Sequence, residues 1–260
     1  MLSRSEQKRL RSLKRRKYRE GEGLFLAEGV RLVEAMLDAG VAPRLVVASP
    51  TLEDTERGRR LAERLAGLDV LRRVEDRVLA EFAATESPQG VLAVAEIPRH
   101  DLGAIRVEGP ATVLVLDGVQ DPGNFGTLVR TADAFGAAFV AVLPGTVDPW
   151  NPKSVRAAAG AAFRIPIVQT DLDTLLEWLH RHGFALYGAA AEGRPVDEVR
   201  PPQRAALAVG NEGAGLGAAV RAAAEELLAV PIRPEAESLN VAVAAAVLLF
   251  LLTRTGGGVS

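Results

Sequence analysis

Cysteine is absent from the 260-residue chain, and histidine occurs only three times. The first absence excludes disulfides, thiolate metal ligands and cysteine nucleophiles, including the covalent cysteine adduct used for attack on pyrimidine ring carbons. The three histidines, His100, His180 and His182, lack the spacing of a metal site. We therefore expect neither a metal nor chemistry that depends on a thiolate.

Long apolar runs are also lacking. The longest, from Val241 to Leu252, has twelve residues, whereas a membrane-spanning helix needs about 20. The N-terminus shows no apolar signal region. We therefore expect a cytoplasmic protein without a membrane segment, in which the run from Val241 forms a core helix.

The formal net charge is only −2, but residues 1–20 hold nine basic residues against Glu6 and Glu20. Such a block predicts a basic arm that contacts the phosphate backbone of a nucleic acid. A solvated, partly disordered tail is the alternative interpretation. The basic residues that we expect to contact nucleic acid, one of them beyond the arm, are Arg9, Arg15, Arg16, Lys17 and Arg31.

Short apolar runs alternate with segments of helical spacing along the rest of the chain, which predicts an α/β fold. Near-continuous apolar strands such as Thr112–Leu116 are typical of a parallel sheet that is buried on both faces. Residues 99–110 are polar and end in Gly-Pro, so we place a domain linker there.

Three polar or glycine-rich stretches follow predicted strands, where open α/β sheets bind ligands. The first, 117–126, leads into a helix predicted from about Thr127 to Phe135. Asn124 can cap this helix, and the guanidinium of Arg130 can hold a phosphate or an oxyanion near the same helix end. The dinucleotide fingerprint and the P-loop ending are both missing, which argues against a nicotinamide dehydrogenase.

The second stretch, 209–215, surrounds Glu212 with glycines that permit close approach of a ligand, although a simple glycine-rich turn is the alternative. The third, 230–240, contains Ser238 and Asn240, either of which can cap the final helix. That helix has no polar face. We therefore expect it to be buried on all sides, inserted into the fold or pressed against a second subunit.

Taken in order, the stretches at 117–136, 207–216 and 230–246 resemble the motifs of the SpoU (TrmH-like) family of SPOUT methyltransferases. Residues 152–161 are similar to the family's helix after the first motif, although Ala158 stands where relatives often carry a hydroxyl residue. Residues 25–31 and 87–91 resemble the substrate-binding domain of the ribosomal-RNA branch.

The resemblance implies an α/β protein whose C-terminal parallel-sheet domain has a deep trefoil knot, preceded by a small N-terminal α/β RNA-binding domain. The expected division is a basic arm (1–20), a substrate-binding domain (21–98), the linker (99–110) and the knotted methyltransferase domain (111–260). The resemblance further implies a homodimer that uses S-adenosylmethionine to methylate a ribose 2′-hydroxyl in structured RNA, expected to be ribosomal RNA. Transfer RNA as substrate, or a non-catalytic RNA-binding protein, are the alternatives.

The same resemblance carries functional roles onto particular residues. Those implied in catalysis are Arg130, Asn124, Glu212, Ser238 and Asn240. Those implied in cofactor binding are Leu143, Gly145, Gly210, Val230, Ile232 and Leu239. Since arginine keeps its proton in proteins, we interpret Arg130 as a group that stabilises a developing alkoxide and not as a general base. Glu212 either orients the site or accepts the proton.

Overall fold

The computed structural model describes residues 2–200, 202–233, 235–236 and 238–255. Pro234 and Glu237 of the third stretch, and the last five residues of the expected methyltransferase domain, lie outside the described residues. The chain divides into two compact units, one formed by residues 1–98 with 148–163 and the other by residues 99–147 with 164–260.

The first unit is built on a four-stranded mixed sheet with the order β1-β4-β2-β3. Its strands are β1 (Leu24–Glu28), β2 (Pro43–Ala48), β3 (Leu71–Arg73) and β4 (Val91–Glu96). Its helices are α1 (Arg4–Ser12), α2 (Arg16–Glu22), α3 (Val30–Asp38), α4 (Glu56–Leu65), α5 (Asp76–Ala80) and α7 (Pro152–Ala158). Alternate residues of β1, β2 and β4 contribute to one buried cluster, as the two-residue period of a strand requires.

The segment 148–163 belongs to the first unit, whereas the sequence places it inside one continuous domain that runs from residue 111 to 260. Aromatic packing explains the difference. The Phe25 ring lies 5.0 Å from that of Trp150 and 5.6 Å from that of Phe163, measured between centroids. Because these partners are more than a hundred residues apart in the chain, local patterns do not reveal the contact.

The basic N-terminal segment is folded into helices α1 and α2, which argues against the alternative of a partly disordered tail. Ser3 caps α1 by accepting a hydrogen bond from the backbone nitrogen of Glu6, whose side chain in turn accepts from the backbone nitrogen of Ser3. Leu10 and Leu13 are fully buried in the core of the first unit. The basic side chains therefore lie on a helical segment that is anchored in the core.

The second unit contains a six-stranded sheet with the order β10-β8-β9-β5-β6-β7, and every pairing between these strands is parallel. Its strands are β5 (Ala111–Leu116), β6 (Val140–Val142), β7 (Ile167–Gln169), β8 (Ala185–Pro195), β9 (Arg204–Val209) and β10 (Glu226–Ala229). Its helices are α6 (Pro122–Ala134), α8 (Leu172–Arg181), α9 (Ala218–Ala223) and α10 (Val241–Thr255). The predicted α/β class with a parallel sheet is confirmed.

Helix α6 begins five residues earlier than the sequence pattern predicts. Asp121, not Asn124, is its N-cap residue and accepts a hydrogen bond from the backbone nitrogen of Asn124 at 2.9 Å. Pro122 occupies the first helical position, where its missing N–H is not needed. Because capping is done by Asp121, the side chain of Asn124 is available for other contacts.

Within one chain, helix α10 is only partly covered, whereas its sequence predicts burial on all sides, inside the fold or against a second subunit. Ala242, Ala245 and Leu249 are buried, whereas Val243 is 50% exposed and Phe250 is 40% exposed. The last two are seven residues apart and therefore lie on one helix face. The Phe250 ring lies 5.7 Å from that of Phe135, at the end of α6, so the exposed face of α10 adjoins α6.

Candidate active site

Two loops that the sequence singles out leave the sheet side by side. Strand β5 pairs with β9, and Leu116 lies opposite Val209 at the carboxyl ends of both strands. The loops that follow are joined by a 3.0 Å hydrogen bond from Asn211 Nδ2 to the Gly118 carbonyl, and by a 2.7 Å bond from the Gly217 nitrogen to Asp117. The parallel pairing therefore brings the first and second stretches together.

The loop after β9 folds back on itself. Asn211 and Gly215 exchange two backbone hydrogen bonds, each 2.9 Å long. A Cβ atom at Gly210 would lie 2.2 Å from the carbonyl carbon of Gly215, so no larger residue fits at Gly210 without moving backbone. The glycines thus close a tight loop that presents the carboxylate of Glu212.

Three of the predicted catalytic residues meet in one hydrogen-bonded chain. Asn124 Nδ2 donates to Glu212 Oε1 at 3.0 Å, and Asn240 Nδ2 donates to Asn124 Oδ1 at 2.9 Å. Asn240 also accepts from the backbone nitrogens of Ala242 and Val243, and so caps α10. Asn124, from the first stretch, is therefore held in orientation by one residue from each of the other two stretches.

The Glu212 carboxylate is held by several donors. Besides Asn124, it accepts hydrogen bonds from the backbone nitrogens of Gln120 at 3.1 Å and Asp121 at 3.0 Å. Partial burial opposes ionisation, but these hydrogen bonds outweigh it and lower the pKa of Glu212 below its usual value. The carboxylate therefore stays ionised in the neutral range and is a weak proton acceptor.

A cavity of about 400 Å³ lies beside this network. Its lining is mostly alanine, valine, leucine, isoleucine and glycine, and Glu212 and Ser238 belong to it. Gly210, Val230, Ile232 and Leu239, four of the residues expected to bind the cofactor, also line it. The volume falls within the range of about 300–1,000 Å³ that is usual for sites of small molecules and cofactors.

The other two expected cofactor residues are not among the described residues that line the cavity. Leu143 is 4% exposed and packs in the core of the second unit. The Gly145 carbonyl accepts a hydrogen bond from the side chain of Gln120. Gln120 lies in the loop after β5, whose backbone nitrogens bind Glu212, and it thus connects that loop to the loop after β6. Its place in the first stretch does not reveal this role.

Arg130 does not join the network of Asn124, Glu212 and Asn240. Arg130 lies six positions after Asn124, which puts the two side chains about 120° apart around the helix. Arg130 is exposed, and no described residue forms an ion pair or hydrogen bond with it. Within its own chain, the guanidinium of Arg130 is therefore not bonded to this network.

The cations expected to contact RNA fall into two groups within the first unit. Arg9 pairs with Glu22 at 3.1 Å and Arg16 pairs with Glu20 at 2.6 Å. Arg15, Lys17 and Arg31 are exposed and have no ion-pair or hydrogen-bond partner among the described side chains. Only the second group carries charge that no carboxylate offsets.

Within the part of the chain that the structure describes, no cluster of histidine and carboxylate side chains has the arrangement of a metal site. Nor does any helix among these described residues have the length and apolarity needed to span a membrane.

Comparison with known proteins agrees with this geometry. Residues 111–250 match the SpoU rRNA methylase family, and residues 5–93 match an MRM3-like substrate-binding domain. The 23S rRNA (guanosine(2553)-2′-O)-methyltransferase RlmP of Bacillus subtilis is 38% identical over 93% of each chain.

Two solved structures are similar over almost the whole chain. The AdoMet-bound rRNA methyltransferase from Sinorhizobium meliloti has a TM-score of 0.85 at 30% identity and covers 98% of this chain and 97% of its own. The SpoU methyltransferase AviRb from Streptomyces viridochromogenes, in complex with AdoMet, has a TM-score of 0.86 at 28% identity, with 97% and 98% covered. The matches in sequence and structure show that the chain belongs to the SpoU rRNA methylase family.

Proposed function

We propose that this protein transfers a methyl group from S-adenosylmethionine to a ribose 2′-hydroxyl in ribosomal RNA. The observation that carries the proposal is the cavity of about 400 Å³ that Glu212 lines, with the Glu212 carboxylate tied to Asn124. Relatives named as 23S rRNA 2′-O-methyltransferases and the match to a substrate-binding domain support ribosomal RNA over transfer RNA. A ribosomal substrate agrees with the cytoplasmic location expected from the sequence.

The residues of the cavity fit S-adenosylmethionine. Apolar side chains such as Val230, Ile232 and Leu239 suit a purine ring, and Gly210 lets the backbone approach the ligand closely. When bound, the cofactor supplies an electrophilic methyl group attached to a sulfonium. We also attribute to the second unit the trefoil knot of the SPOUT methyltransferases, which its parallel sheet and its family membership support.

Asn124, Glu212 and Asn240 are proposed to orient the reacting ribose. Glu212 uses one hydrogen of the Asn124 amide, and Asn240 occupies the Asn124 oxygen, so one Asn124 N–H remains for the substrate. The lowered pKa of Glu212 favours the orienting role over acceptance of the proton. Ser238 lines the cavity beside Leu239 and is proposed to shape it.

Arg130 is proposed to act in the active site of a second copy of the chain. Arg130 is exposed on α6 and makes no bond to the network of its own chain, whereas a partner packed on this surface would receive it. Val243 and Phe250 make the adjoining face of α10 apolar, as a homodimer interface requires. There the guanidinium stabilises negative charge that develops on the 2′-oxygen.

The dimer predicts a specific response to a charge in its interface. Replacing Phe250 with aspartate should convert the protein to a monomer at micromolar concentration, because an unpaired carboxylate would be buried between the subunits. Sedimentation velocity measures the mass. Tyr18→Asp, which changes an aromatic residue 42% exposed in the first unit, is the matched control and should leave the mass unchanged. A monomeric wild-type protein would contradict the proposal.

We further propose that the first unit contacts RNA through Arg15, Lys17 and Arg31. Cations that already pair with carboxylates gain less from a phosphate, because the existing partner must be given up. Arg9 and Arg16 are in that position, so we assign them a smaller contribution than the sequence suggests.

The salt dependence of RNA binding tests whether unpaired cations contribute more to binding than cations that pair with carboxylates. Neutralising two free cations, as in Arg15→Gln/Lys17→Gln, should reduce the slope of log affinity against log salt by about 1.5. The control Arg60→Gln/Arg77→Gln removes the same charge from two exposed arginines that pair with Glu56 and Glu75. Filter binding between low and moderate salt measures both slopes. Equal slopes for the two variants would refute the assignment. Deleting residues 1–20 is not a clean test, since it removes Leu10 and Leu13 from the core.

The function itself is tested by methyl transfer from labelled S-adenosylmethionine to unmodified ribosomal and transfer RNA in separate reactions. Label at one alkali-resistant linkage of ribosomal RNA is the expected result, since 2′-O-methylation blocks alkaline cleavage. Label in transfer RNA alone would overturn the substrate assignment. Cofactor binding without label in either pool would favour a protein that only binds RNA.

A further inference from the structure

An ion pair that the sequence motifs do not include lies in the lining of the cavity. Arg221, on α9, donates from Nη2 to the carboxylate of Glu192, on β8. Both residues line the cavity. Their side chains remain 42% and 61% exposed, respectively, so the pair is open to solvent and to a ligand.

A register shift in the pairing of β8 with β10 places Glu192 at the cavity. In the pairing with β10, Leu227 lies opposite Gly188, but the next residue, Leu228, lies opposite Arg194. The residues between Gly188 and Arg194 are therefore looped out of the ladder, as in an extended β-bulge. Four of them, Ala189–Glu192, line the cavity. The bulge thus aims a carboxylate from a sheet strand at a ligand site.

Glu192 and Arg221 are the charged side chains of the described lining that have most of their hydrogen-bonding capacity free. The third charged residue, Glu212, already accepts from two backbone nitrogens and from Asn124. Arg221, by contrast, uses one of its donor groups for Glu192, and Glu192 has a second oxygen available. The hydrogen bond from Arg221 lowers the pKa of Glu192, so the carboxylate is ionised at neutral pH.

S-adenosylmethionine combines an uncharged adenosine with an amino-acid end that carries an ammonium and a carboxylate. The apolar lining has no group that matches those two charges, whereas Glu192 and Arg221 offer one of each sign. We propose that Arg221 binds the α-carboxylate of S-adenosylmethionine and that Glu192 binds its α-ammonium. The inference rests on the proposed function, since it requires the cofactor in this cavity. An exposed ion pair stabilises a fold little, so its two members can exchange partners readily.

Ligands that lack parts of the amino-acid end separate this role from a structural one. Isothermal titration calorimetry on the full chain would compare three ligands. S-adenosylmethionine carries both charges, decarboxylated S-adenosylmethionine lacks the carboxylate, and methylthioadenosine lacks the whole amino-acid end. The variants are Arg221→Gln and Glu192→Gln. Arg194→Gln is the matched control, because Arg194 also lies on β8 and pairs with Glu226 but does not line the cavity.

The expected pattern differs for the two variants. Arg221→Gln should weaken S-adenosylmethionine about tenfold, as expected for the loss of a hydrogen bond between charged groups, and should leave the other two ligands unchanged. Glu192→Gln should weaken both ligands that carry the ammonium and leave methylthioadenosine unchanged. Arg194→Gln should affect none of them.

Two results would overturn the inference while leaving the proposed function intact. One is an equal loss for methylthioadenosine and S-adenosylmethionine, which would assign the pair to the nucleoside or to the shape of the cavity. The other is unchanged affinity for S-adenosylmethionine in both variants. Failure of the wild-type protein to bind any of the ligands would overturn the cofactor assignment of the cavity, and the inference with it.

Discussion

Replacing Arg130 with alanine should lower the rate of methyl transfer by about 100- to 1,000-fold, the effect typical of removing one group that stabilises developing negative charge. The side chain is exposed and no described residue bonds to it, so its removal should cost the fold little. Because Arg130 does not line the cavity, the affinity for S-adenosylmethionine should stay unchanged. The loss should therefore appear in kcat and not in cofactor binding.

Single-turnover rates at saturating cofactor, with calorimetry of cofactor binding, measure the two quantities separately. Arg181→Ala removes another exposed arginine of the second unit, at the end of α8, and should leave the rate unchanged. Arg130→Lys keeps the charge but loses the planar fork of donors, so an intermediate rate is expected. A wild-type rate for Arg130→Ala would refute the role.

Mixed dimers test whether Arg130 acts across the interface. One subunit would carry Arg130→Ala, and the other would carry Leu239→Arg to fill the cavity while keeping its own Arg130. If Arg130 serves the partner's site, the mixed dimer regains activity, because one intact cavity meets one intact arginine. If Arg130 serves its own chain, the mixed dimer stays inactive. Two affinity tags allow this species to be purified.

Replacing Arg19 with alanine should lower the free energy of unfolding of the first unit by about 3–5 kcal/mol, as expected when one partner of a buried ion pair is removed. Arg19 is 2% exposed and donates from Nε to Asp148 at 2.9 Å and from Nη1 to the Leu13 carbonyl at 2.7 Å. Asp148 also accepts from the backbone nitrogen of Trp150. Without Arg19, the carboxylate is left buried with its charge unpaired.

The two tryptophans of the chain allow this effect to be assigned to one unit. Trp150 belongs to the first unit and Trp178 to the second, so a Trp178→Phe background reports the first unit alone. Denaturant unfolding followed by fluorescence gives the free energy.

Arg16→Ala, which breaks an exposed ion pair on the same helix, is the control and should cost about 0–1 kcal/mol. Arg19→Ala/Asp148→Asn should cost less than Arg19→Ala alone, since the unpaired charge is gone. Equal losses for Arg19→Ala and Arg16→Ala would contradict the prediction.

Local patterns predicted the alternation of strands and helices and a strand at Thr112–Leu116, because the period of apolar residues is a property of neighbouring positions. These patterns did not reveal which apolar residues of a strongly charged segment are buried. Leu10 and Leu13 stand among nine basic residues, so the sequence pattern predicts a basic arm. In the structure, both side chains are buried in the apolar core of the first unit. Sequence patterns likewise give no reason to expect that Arg19 is buried. Its partner in the buried ion pair, Asp148, lies 129 positions away in the chain.

In the candidate site, too, some features were predictable from the sequence and others were not. The three stretches, with Asn124, Glu212 and Asn240 among them, were identified from motif order, and four of the six expected cofactor residues line the cavity. Motif order did not indicate that Asp121 caps α6, that Arg130 is not bonded to the network of Asn124, or that a bulge in β8 brings Glu192 to Arg221. Each depends on helix phase or strand register, which a shift of one residue would change.

By itself the sequence determined the alternation of strands and helices, the family and the residue types available for chemistry, since these depend on composition, period and motif. Only the tertiary structure decided which of those residues meet. The pairing of β5 with β9 brings the Asn124 and Glu212 loops to one sheet edge, and packing of 148–163 encloses the charge of Arg19. Such contacts join residues far apart in the chain, and their geometry depends on how the elements pack.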